Sequence, residues 1–312
     1  MREVKLKKIF TEIIKPSPPF NFESSYKPSH FETPLEFYEN GKYWFTMRFL
    51  DKIFGIKMWS VGTTNKPKVK IGVYSKSRLN TKEKGELLKE LNWRFCFDED
   101  ISDFMNLAKR SKILNKTFES VYGMRECSLN SVYELLVISL VLQNTNVKRT
   151  RAMLKNLLEK YGTKVSFDNK ELFAFFKPER IAKAKEKELW DCKLGYRAPY
   201  IKSISQSFAN KEIDEYELRK MKKDSAKEKL MELKGIGPYS ADIILAEALR
   251  HHDILVIDIW SQKIFSKVLF RDEKHSREQI LKKAERLWGK WKGLAGRYIM
   301  EDLFWREKKN QP

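Results

Sequence analysis

Two glycines and one aspartate in the C-terminal third of the chain are of the residue types that could bind a phosphate and supply a carboxylate for catalysis. Gly235 and Gly237 stand between two stretches of helical period, where glycine permits positive φ and close approach of backbone N–H groups to a ligand. Amides that converge at a helix N-terminus bind anions, so a phosphate is the expected guest. Asp258 follows Gly237 by 21 residues, inside the apolar run Ile254–Trp260. A carboxylate in an apolar site stabilises developing positive charge better than it does in water.

Two ordinary interpretations compete with this chemistry. Gly235–Ser240 approaches the G-x-G-x-x-G/A pattern of dinucleotide binding, but that pattern needs a preceding β-strand, and here the preceding residues have helical spacing. Asp258 also suits the N-cap of a helix over residues 259–270. Because capping and catalysis are compatible, both roles of Asp258 stay open.

The hairpin and the aspartate together resemble the helix–hairpin–helix (HhH-GPD) DNA glycosylase superfamily, in its alkylbase and 8-oxoguanine branch. In that family the hairpin grips the DNA backbone, and an aspartate at a similar distance past the second hairpin glycine drives base excision. The resemblance implies that Asp258 is catalytic and that Gly235 and Gly237 bind DNA. The hairpin then spans about residues 224–250.

The residue at position 239 distinguishes two chemistries within that family. Bifunctional members place a lysine at the corresponding position after the hairpin, where its amine attacks C1′ and the strand is then cut. Tyr239 stands there in this chain. The resemblance therefore implies a monofunctional enzyme that releases the base with water, with Tyr239 in the base pocket. Simple core packing is the alternative role of this side chain.

A polar segment between an apolar and a basic helix resembles the part of the family fold that fills the gap left by an extruded base. The apolar stretch Leu135–Leu142 is followed by Gln143 and Asn144, and a basic helix then begins. By position Asn144, beside Gln143, would fill the gap, and Arg149 would face the base that is left unpaired on the opposite strand. The alternative is an ordinary loop with solvated amides.

A second DNA-binding segment is suggested by Lys193–Tyr200, which reads KLGYRAPY. It resembles a stretch of the 8-oxoguanine branch whose tyrosine and arginine reach into the duplex, here Tyr196 and Arg197. An arginine can donate a bidentate pair to a base edge, and an aromatic ring can wedge a base stack. The alternative is a glycine C-cap followed by a new helix, with Arg197 on a solvated face.

The last helical stretch resembles the family's terminal helix, which closes the base pocket. Enzymes that act on 8-oxoguanine carry a glutamine and a phenylalanine there, whereas Gly296 and Met300 take these places here. The pocket is then roomier and less polar, which favours a cationic alkylated purine of the 3-methyladenine type that aromatic rings can stack on. Excision of 8-oxoguanine is the alternative within the family. A non-catalytic helix–hairpin–helix DNA-binding module is the alternative outside enzymes.

Composition points to a nucleic-acid partner. Lys and Arg number 62 against 42 Asp and Glu, a formal charge of +20, which attracts polyanions. No segment approaches the length of an apolar membrane span, and the N-terminus lacks the apolar core of a signal peptide. We expect a monomer that binds double-stranded DNA containing a damaged base, without a membrane partner. We expect it in the cytoplasm or nucleoid (the nucleus of a eukaryote), and not secreted.

Few residues suit a metal or cofactor. Three scattered cysteines exclude the four-cysteine iron–sulfur cluster that some superfamily members carry, and the four histidines have no zinc-ligand spacing. The resemblance leaves one candidate ion, a structural Na⁺ or K⁺ on the hairpin. Its ligands would be the backbone carbonyls of Met231, Leu233 and Ile236.

The element pattern predicts an α+β protein. Residues 1–35 are basic and then rich in proline and serine, which predicts an irregular extended lead-in. From about residue 99 onward nearly every segment has helical period. We predict a small N-terminal antiparallel β-sheet domain over residues 1–98, followed by an all-helical helix–hairpin–helix glycosylase body over residues 99–312. The predicted strands are Tyr43–Phe49, Lys52–Ser60 and Val69–Ser75.

Overall fold

The computed structural model describes residues 3–27, 33–272 and 274–309, and it confirms the mixed α+β class. The N-terminal part is mainly β-structure. Its elements are β1 (Glu3–Lys5), β2 (Lys7–Ile14), α1 (Phe22–Tyr26), β3 (Glu36–Glu39), β4 (Lys42–Phe49), β5 (Lys52–Ser60), β6 (Val69–Ser75) and α2 (Thr81–Arg94).

The remainder of the chain is mainly helical. Its first half contains α3 (Ser102–Arg110), α4 (Phe118–Val121), α5 (Val132–Leu142), α6 (Val147–Tyr161), β7 (Thr163–Phe167), β8 (Lys170–Ala174), α7 (Pro178–Ala182) and α8 (Glu186–Asp191). Its second half contains α9 (Arg197–Ala209), α10 (Glu215–Leu218), α11 (Lys223–Met231), α12 (Pro238–Glu247), α13 (Ile259–Phe270), α14 (Arg277–Trp288) and α15 (Lys292–Lys309).

Five strands form an antiparallel sheet in the order β2-β6-β5-β4-β3. The three predicted strands match β4, β5 and β6 to within one residue. Leu50 and Asp51 both have positive φ, 49° and 57°, which makes the two-residue turn that suits the twist of a hairpin. Within the lead-in, predicted as extended and partly irregular, the structure describes β1 and β2, which pair with strands far along the chain.

The helix α5 is the centre of the helical body. Ser131 and Glu134 close a capping box at its start, and residues 132–141 are all buried. It packs against α6, α9 and α12, and a helix that is covered on all sides needs an apolar surface all round. Because α12 carries the second half of the glycine hairpin, the core around α5 fixes the hairpin beside the loop that follows α5.

One β-hairpin, β7–β8, interrupts the body that the sequence predicts as all-helical. Asp168 and Asn169, at φ 48° and 61°, make its turn. The hairpin lies on the N-terminal sheet, where the Asp168 carboxylate accepts hydrogen bonds from Trp44 Nε1 at 2.8 Å and the Tyr74 hydroxyl at 2.7 Å. Strand β1 pairs with β7 in parallel. Local period does not reveal this hairpin because contacts remote in sequence hold it, and the boundary at residue 98 stays a prediction.

Neither a membrane span nor a metal cluster is found in the described ranges. No helix there is long and apolar enough to cross a bilayer. Over the same residues, no group of three or more His, Cys, Asp or Glu side chains could hold a metal ion. The three cysteines are free thiols.

Candidate active site

The glycine hairpin joins α11 to α12 and leaves open space before the first amides of α12. Gly235 has φ +86°, and a Cβ there would lie 2.8 Å from the Tyr200 ring, so this position requires glycine. Gly237 has ordinary extended backbone, φ −95° and ψ 179°, so only Gly235 uses the positive φ that the sequence permits at both. A Cβ on Gly237 would meet nothing within 4 Å. A phosphate can therefore approach the amides at this helix start.

Gln143 ties the loop after α5 to the hairpin. Its Nε2 donates to the Gly235 carbonyl at 2.9 Å and lies 3.4 Å from Ser240 Oγ. The amide that the sequence places against DNA is therefore engaged within the protein. The bond fixes the gap-filling segment relative to the hairpin.

Asn144 and Tyr196 come together on the surface beside the hairpin. Asn144 is exposed at a φ of +46°, and its Nδ2 donates to the Tyr196 hydroxyl at 3.3 Å. Tyr196 is 45% exposed and contacts Tyr200 edge-on, with the ring centroids 6.3 Å apart. Arg149 is exposed in the first turn of α6. Asn144 and Tyr196, both predicted to enter the duplex, thus lie on the face that carries the hairpin.

Arg197 does not share that face, and its predicted contact with the duplex is wrong. The side chain is 3% exposed. Its Nε donates to the Leu140 carbonyl at 3.1 Å, and its Nη atoms donate to the carbonyls of Leu194 and Gln143. Two of these carbonyls lie at the C-terminal end of α5, where a cation is favourable because of the helix dipole. Arg197 stabilises the end of α5.

A cleft of about 430 Å³ opens beside the hairpin. The helix α12 lines it with Tyr239 and Glu247, which lie eight residues apart and therefore on one helix face. Asp258 lines it from the head of α13, and Arg297 and Glu301 line it from α15. The N-terminal part adds aromatic rings to the same cleft, those of Tyr26, Tyr43 and Phe95.

Asp258 is the N-cap of α13, which confirms the capping interpretation. Its Oδ1 accepts from the Ser261 amide at 2.6 Å, and Ser261 Oγ accepts from the Asp258 amide at 2.8 Å. No hydrogen bond within the described residues engages Oδ2. The carboxylate is exposed, and the following Ile259 is 83% exposed, so the protein alone does not form the apolar setting expected from sequence. A bound duplex would have to exclude the water.

Tyr239 lines the cleft rather than the core. Burial, together with the nearby carboxylates of Asp258 and Glu247, raises the pKa of Tyr239 to about 12. The phenol is therefore neutral at pH 7. An aromatic ring therefore lies near both of these acids in the cleft.

The terminal helix presents a different face to the cleft from the predicted one. A Cβ on Gly296 would collide with the Leu255 side chain, and Met300 packs against the core of α13 and α14, so their predicted place in the base pocket is corrected. Arg297 and Glu301 each follow one of these two residues in the sequence. One residue along a helix turns the side-chain direction by about 100°, and both side chains line the cleft. They form an ion pair of 2.7 Å. Their spacing of four on a helix is the signal that sequence reasoning missed.

Glu247 is a further cleft residue that sequence reasoning missed. It is the last residue of α12 and is partly buried. Burial raises the pKa of its carboxyl to about 7, with nearby Arg297 opposing the rise and Glu126 adding to it. An apolar run around a single glutamate, here Ile243–Ala246 before Glu247, is the only local hint of burial.

The hairpin carbonyls are compatible with a monovalent cation. The Leu233 carbonyl accepts from the Ile236 amide at 3.1 Å. The carbonyls of Met231 and Ile236 accept no hydrogen bond within the described ranges. Uncharged carbonyl oxygens suit Na⁺ or K⁺, and this site stays a prediction.

Comparison with known proteins identifies the fold and the family. The chain is 27% identical over 224 residues to a DNA-3-methyladenine glycosylase of Bacillus subtilis (strain 168). The aligned region covers 70% of this chain and 73% of that protein. It is 27% identical over 201 residues to a probable N-glycosylase/DNA lyase of Methanothermobacter thermautotrophicus, 58% of this chain and 64% of that protein. The fold matches a solved 3-methyladenine DNA glycosylase from Archaeoglobus fulgidus with a TM-score of 0.78, at 18% identity over 96% and 99% of the two chains.

A helix–hairpin–helix followed by a cleft-lining aspartate defines a DNA glycosylase of base excision repair. Residues 137–290 match the HhH-GPD superfamily base excision DNA repair protein family, and the chain belongs to this superfamily. The family resemblance read from the sequence is thereby confirmed.

Proposed function

We propose that the protein is a monofunctional, monomeric DNA glycosylase that excises alkylated purines of the 3-methyladenine type from double-stranded DNA. One observation carries the proposal: on a chain of net charge +20, acidic groups outnumber basic ones in the cleft. Leaving aside Glu247, whose pKa burial raises to about 7, the acids are Glu36, Asp258 and Glu301, and the bases are Lys27 and Arg297.

An acidic cleft with aromatic walls favours a cationic base. Alkylation at N3 of adenine or N7 of guanine puts a positive charge on the purine, which carboxylates attract and aromatic faces stack on. Flipping also costs less for a damaged base than for a paired one. The name of the Bacillus subtilis relative, a DNA-3-methyladenine glycosylase, agrees with this substrate class.

Asp258 supplies the chemistry in this proposal. As the bond from C1′ to the base breaks, positive charge develops on the sugar, and the unengaged Oδ2 of Asp258 stabilises it. The same carboxylate orients the attacking water, which adds to C1′. The base leaves as a neutral purine when it was cationic, so it requires no proton.

The side chains of the cleft favour hydrolysis over lyase chemistry. Residue 239 is a tyrosine, so no amine stands where bifunctional relatives carry their nucleophile. Among the described residues that line the cleft, the lysine is Lys27. Its ammonium pairs with Glu23 at 3.1 Å and lies 4.6 Å from the ring centroid of Trp305. An amine held in an ion pair is a poor nucleophile.

Borohydride trapping and alkaline workup test the proposal on duplexes with one 7-methylguanine, 3-methyladenine or 8-oxoguanine. We expect release of the alkylated purines, strand cleavage only after alkali, and no covalent adduct. An adduct with the unmodified protein would overturn monofunctional excision, and its loss in Lys27→Ala would identify the nucleophile. Faster release of 8-oxoguanine than of either alkylated base would favour that substrate, and release of no base would favour a non-catalytic DNA-binding module.

A further inference from the structure

The cleft contains a carboxyl that hydrolysis of a cationic base does not use. Glu247 lies eight residues beyond Tyr239 on the same face of α12, about 12 Å further from the hairpin. The hairpin end of α12 is the DNA-binding end in the proposed function. A base that enters the cleft past Tyr239 therefore moves toward Glu247.

The Glu247 carboxyl is available to a ligand. No hydrogen bond or ion pair engages it within the part of the chain that the structure describes. The neighbouring Arg297 is held by Glu301 at 2.7 Å. Glu247 lines the cleft, so a base bound there can replace water as its hydrogen-bond partner.

Charged groups on several elements surround Glu247. Arg297 on α15 and Glu126, which precedes α5, act on it directly. A small cavity on its other side is lined by further charged groups, Arg94, Glu215, Arg219 and Arg250. Burial, opposed by Arg297 and aided by Glu126, brings the pKa of Glu247 to about 7, so a large share of the carboxyl is protonated at neutral pH.

We propose that Glu247 is a second catalytic residue, a general acid that protonates the leaving base and extends excision to neutral 6-oxopurines. The inference rests on the proposed glycosylase function and widens its substrate class. The O–H of Glu247 and the guanidinium N–H groups of Arg297 are both donors, which match the O6 acceptor of a 6-oxopurine and not the N6 amine of adenine.

The step balances without any added reactant. The bond from C1′ to the purine breaks, its electron pair stays on the base, and the Glu247 proton moves to that base, which leaves neutral. Water adds to C1′ and gives its proton to solvent by way of Asp258, and Glu247 is reprotonated from solvent. General acid catalysis of this kind contributes about 10² to 10⁴-fold in rate. A cationic alkylated purine gains nothing from it.

The test compares single-turnover excision of hypoxanthine, 8-oxoguanine and 7-methylguanine by the wild type and Glu247→Gln. Glutamine keeps the size and hydrogen-bonding capacity of the side chain but cannot donate a proton in this way. We expect excision of at least one neutral purine to fall 10²-fold or more, with 7-methylguanine within about twofold. In the wild type, neutral-purine excision should fall about tenfold per pH unit above pH 7, whereas 7-methylguanine excision should not, and the variant should lose this dependence.

Three results would overturn the inference. The first is equal slowing of the excision of all bases in Glu247→Gln, which indicates a structural role. The second is an unchanged rate of neutral-purine excision in Glu247→Gln. The third is a wild type that releases only cationic bases. In the last case the proposed function stands without the inference. Conversely, Glu247-dependent release of a neutral purine without release of 7-methylguanine would support the inference and refute the proposed substrate class.

Discussion

Replacing Asp258 with asparagine separates the two roles of this residue. The Asp258 Oδ1 caps α13 through its 2.6 Å bond from the Ser261 amide. Asparagine retains a carbonyl oxygen at that place, and the two residues are about equally good N-caps. Asp258→Asn should therefore keep the free energy of unfolding within about 0.5 kcal/mol of the wild type. Asp258→Ala should lose about 1 kcal/mol with the cap.

The catalytic effect of the same change is larger and of a different origin. The asparagine amide carries no negative charge, so the oxocarbenium loses its stabiliser. Removal of one well-placed electrostatic group typically lowers the rate ~10²-fold or more, about 2.7 kcal/mol. Asp258→Asn and Asp258→Ala should show this loss alike, although only the alanine variant loses the cap.

Single-turnover excision of 7-methylguanine, thermal unfolding and DNA binding together check this reasoning. We expect the asparagine variant to melt with the wild type, to bind the lesion duplex at least as tightly, and to release the base ~10²-fold more slowly. A near-normal rate in Asp258→Asn would refute the catalytic role and leave capping alone. Earlier melting of Asp258→Asn by several degrees would show that the loss of rate is structural.

The other predictions concern the hairpin, DNA contacts and pH. Gly235→Ala should lower the free energy of unfolding, because the φ of +86° and a tyrosine ring at 2.8 Å exclude a side chain at this position. Gly237→Val should fold normally and bind duplex more weakly. Unfolding curves and binding curves measure the two effects, and unchanged duplex affinity of Gly237→Val would show that the hairpin has only a structural role. Lys148→Ala should reduce the slope of the logarithm of the DNA-binding constant against the logarithm of salt concentration by about 0.9. Arg149→Ala should mainly change the preference for the base opposite the lesion and leave the slope nearly unchanged. Binding measured over a salt series tests this, and equal slopes in the two variants would contradict it. Burial lowers the pKa of His252, but the carboxylates of Glu126, 3.9 Å from Nδ1, and Glu99, hydrogen-bonded to Nε2 at 2.6 Å, outweigh it and raise the pKa from 6.5 to about 9. Stability from this pairing is complete below pH 6.5 and is lost as pH rises through 9, so the melting temperature should fall over that range in the wild type and less in His252→Gln.

The features that sequence predicted well are local ones. The strands β4 to β6 are rich in aromatic and β-branched residues, and the cap of Asp258 binds an amide three residues away. Such patterns depend on backbone geometry within a few residues, so they are legible without the fold. The hairpin spacing likewise gave the family correctly, because one short segment carries it.

The direction in which each side chain points was decided by tertiary structure. Arg197 follows a motif typical of DNA contact, yet packing of α9 on α5 turns its guanidinium inward to carbonyls of α5. On α15, contact with Leu255 and with Phe265 of α13 buries Gly296, so the cleft receives Arg297 instead. The chain by itself determined the elements, the hairpin and the candidate acid at Asp258. Which helix face meets the cleft depends on contacts between residues far apart in sequence, because a shift of one residue turns a helix face by about 100°.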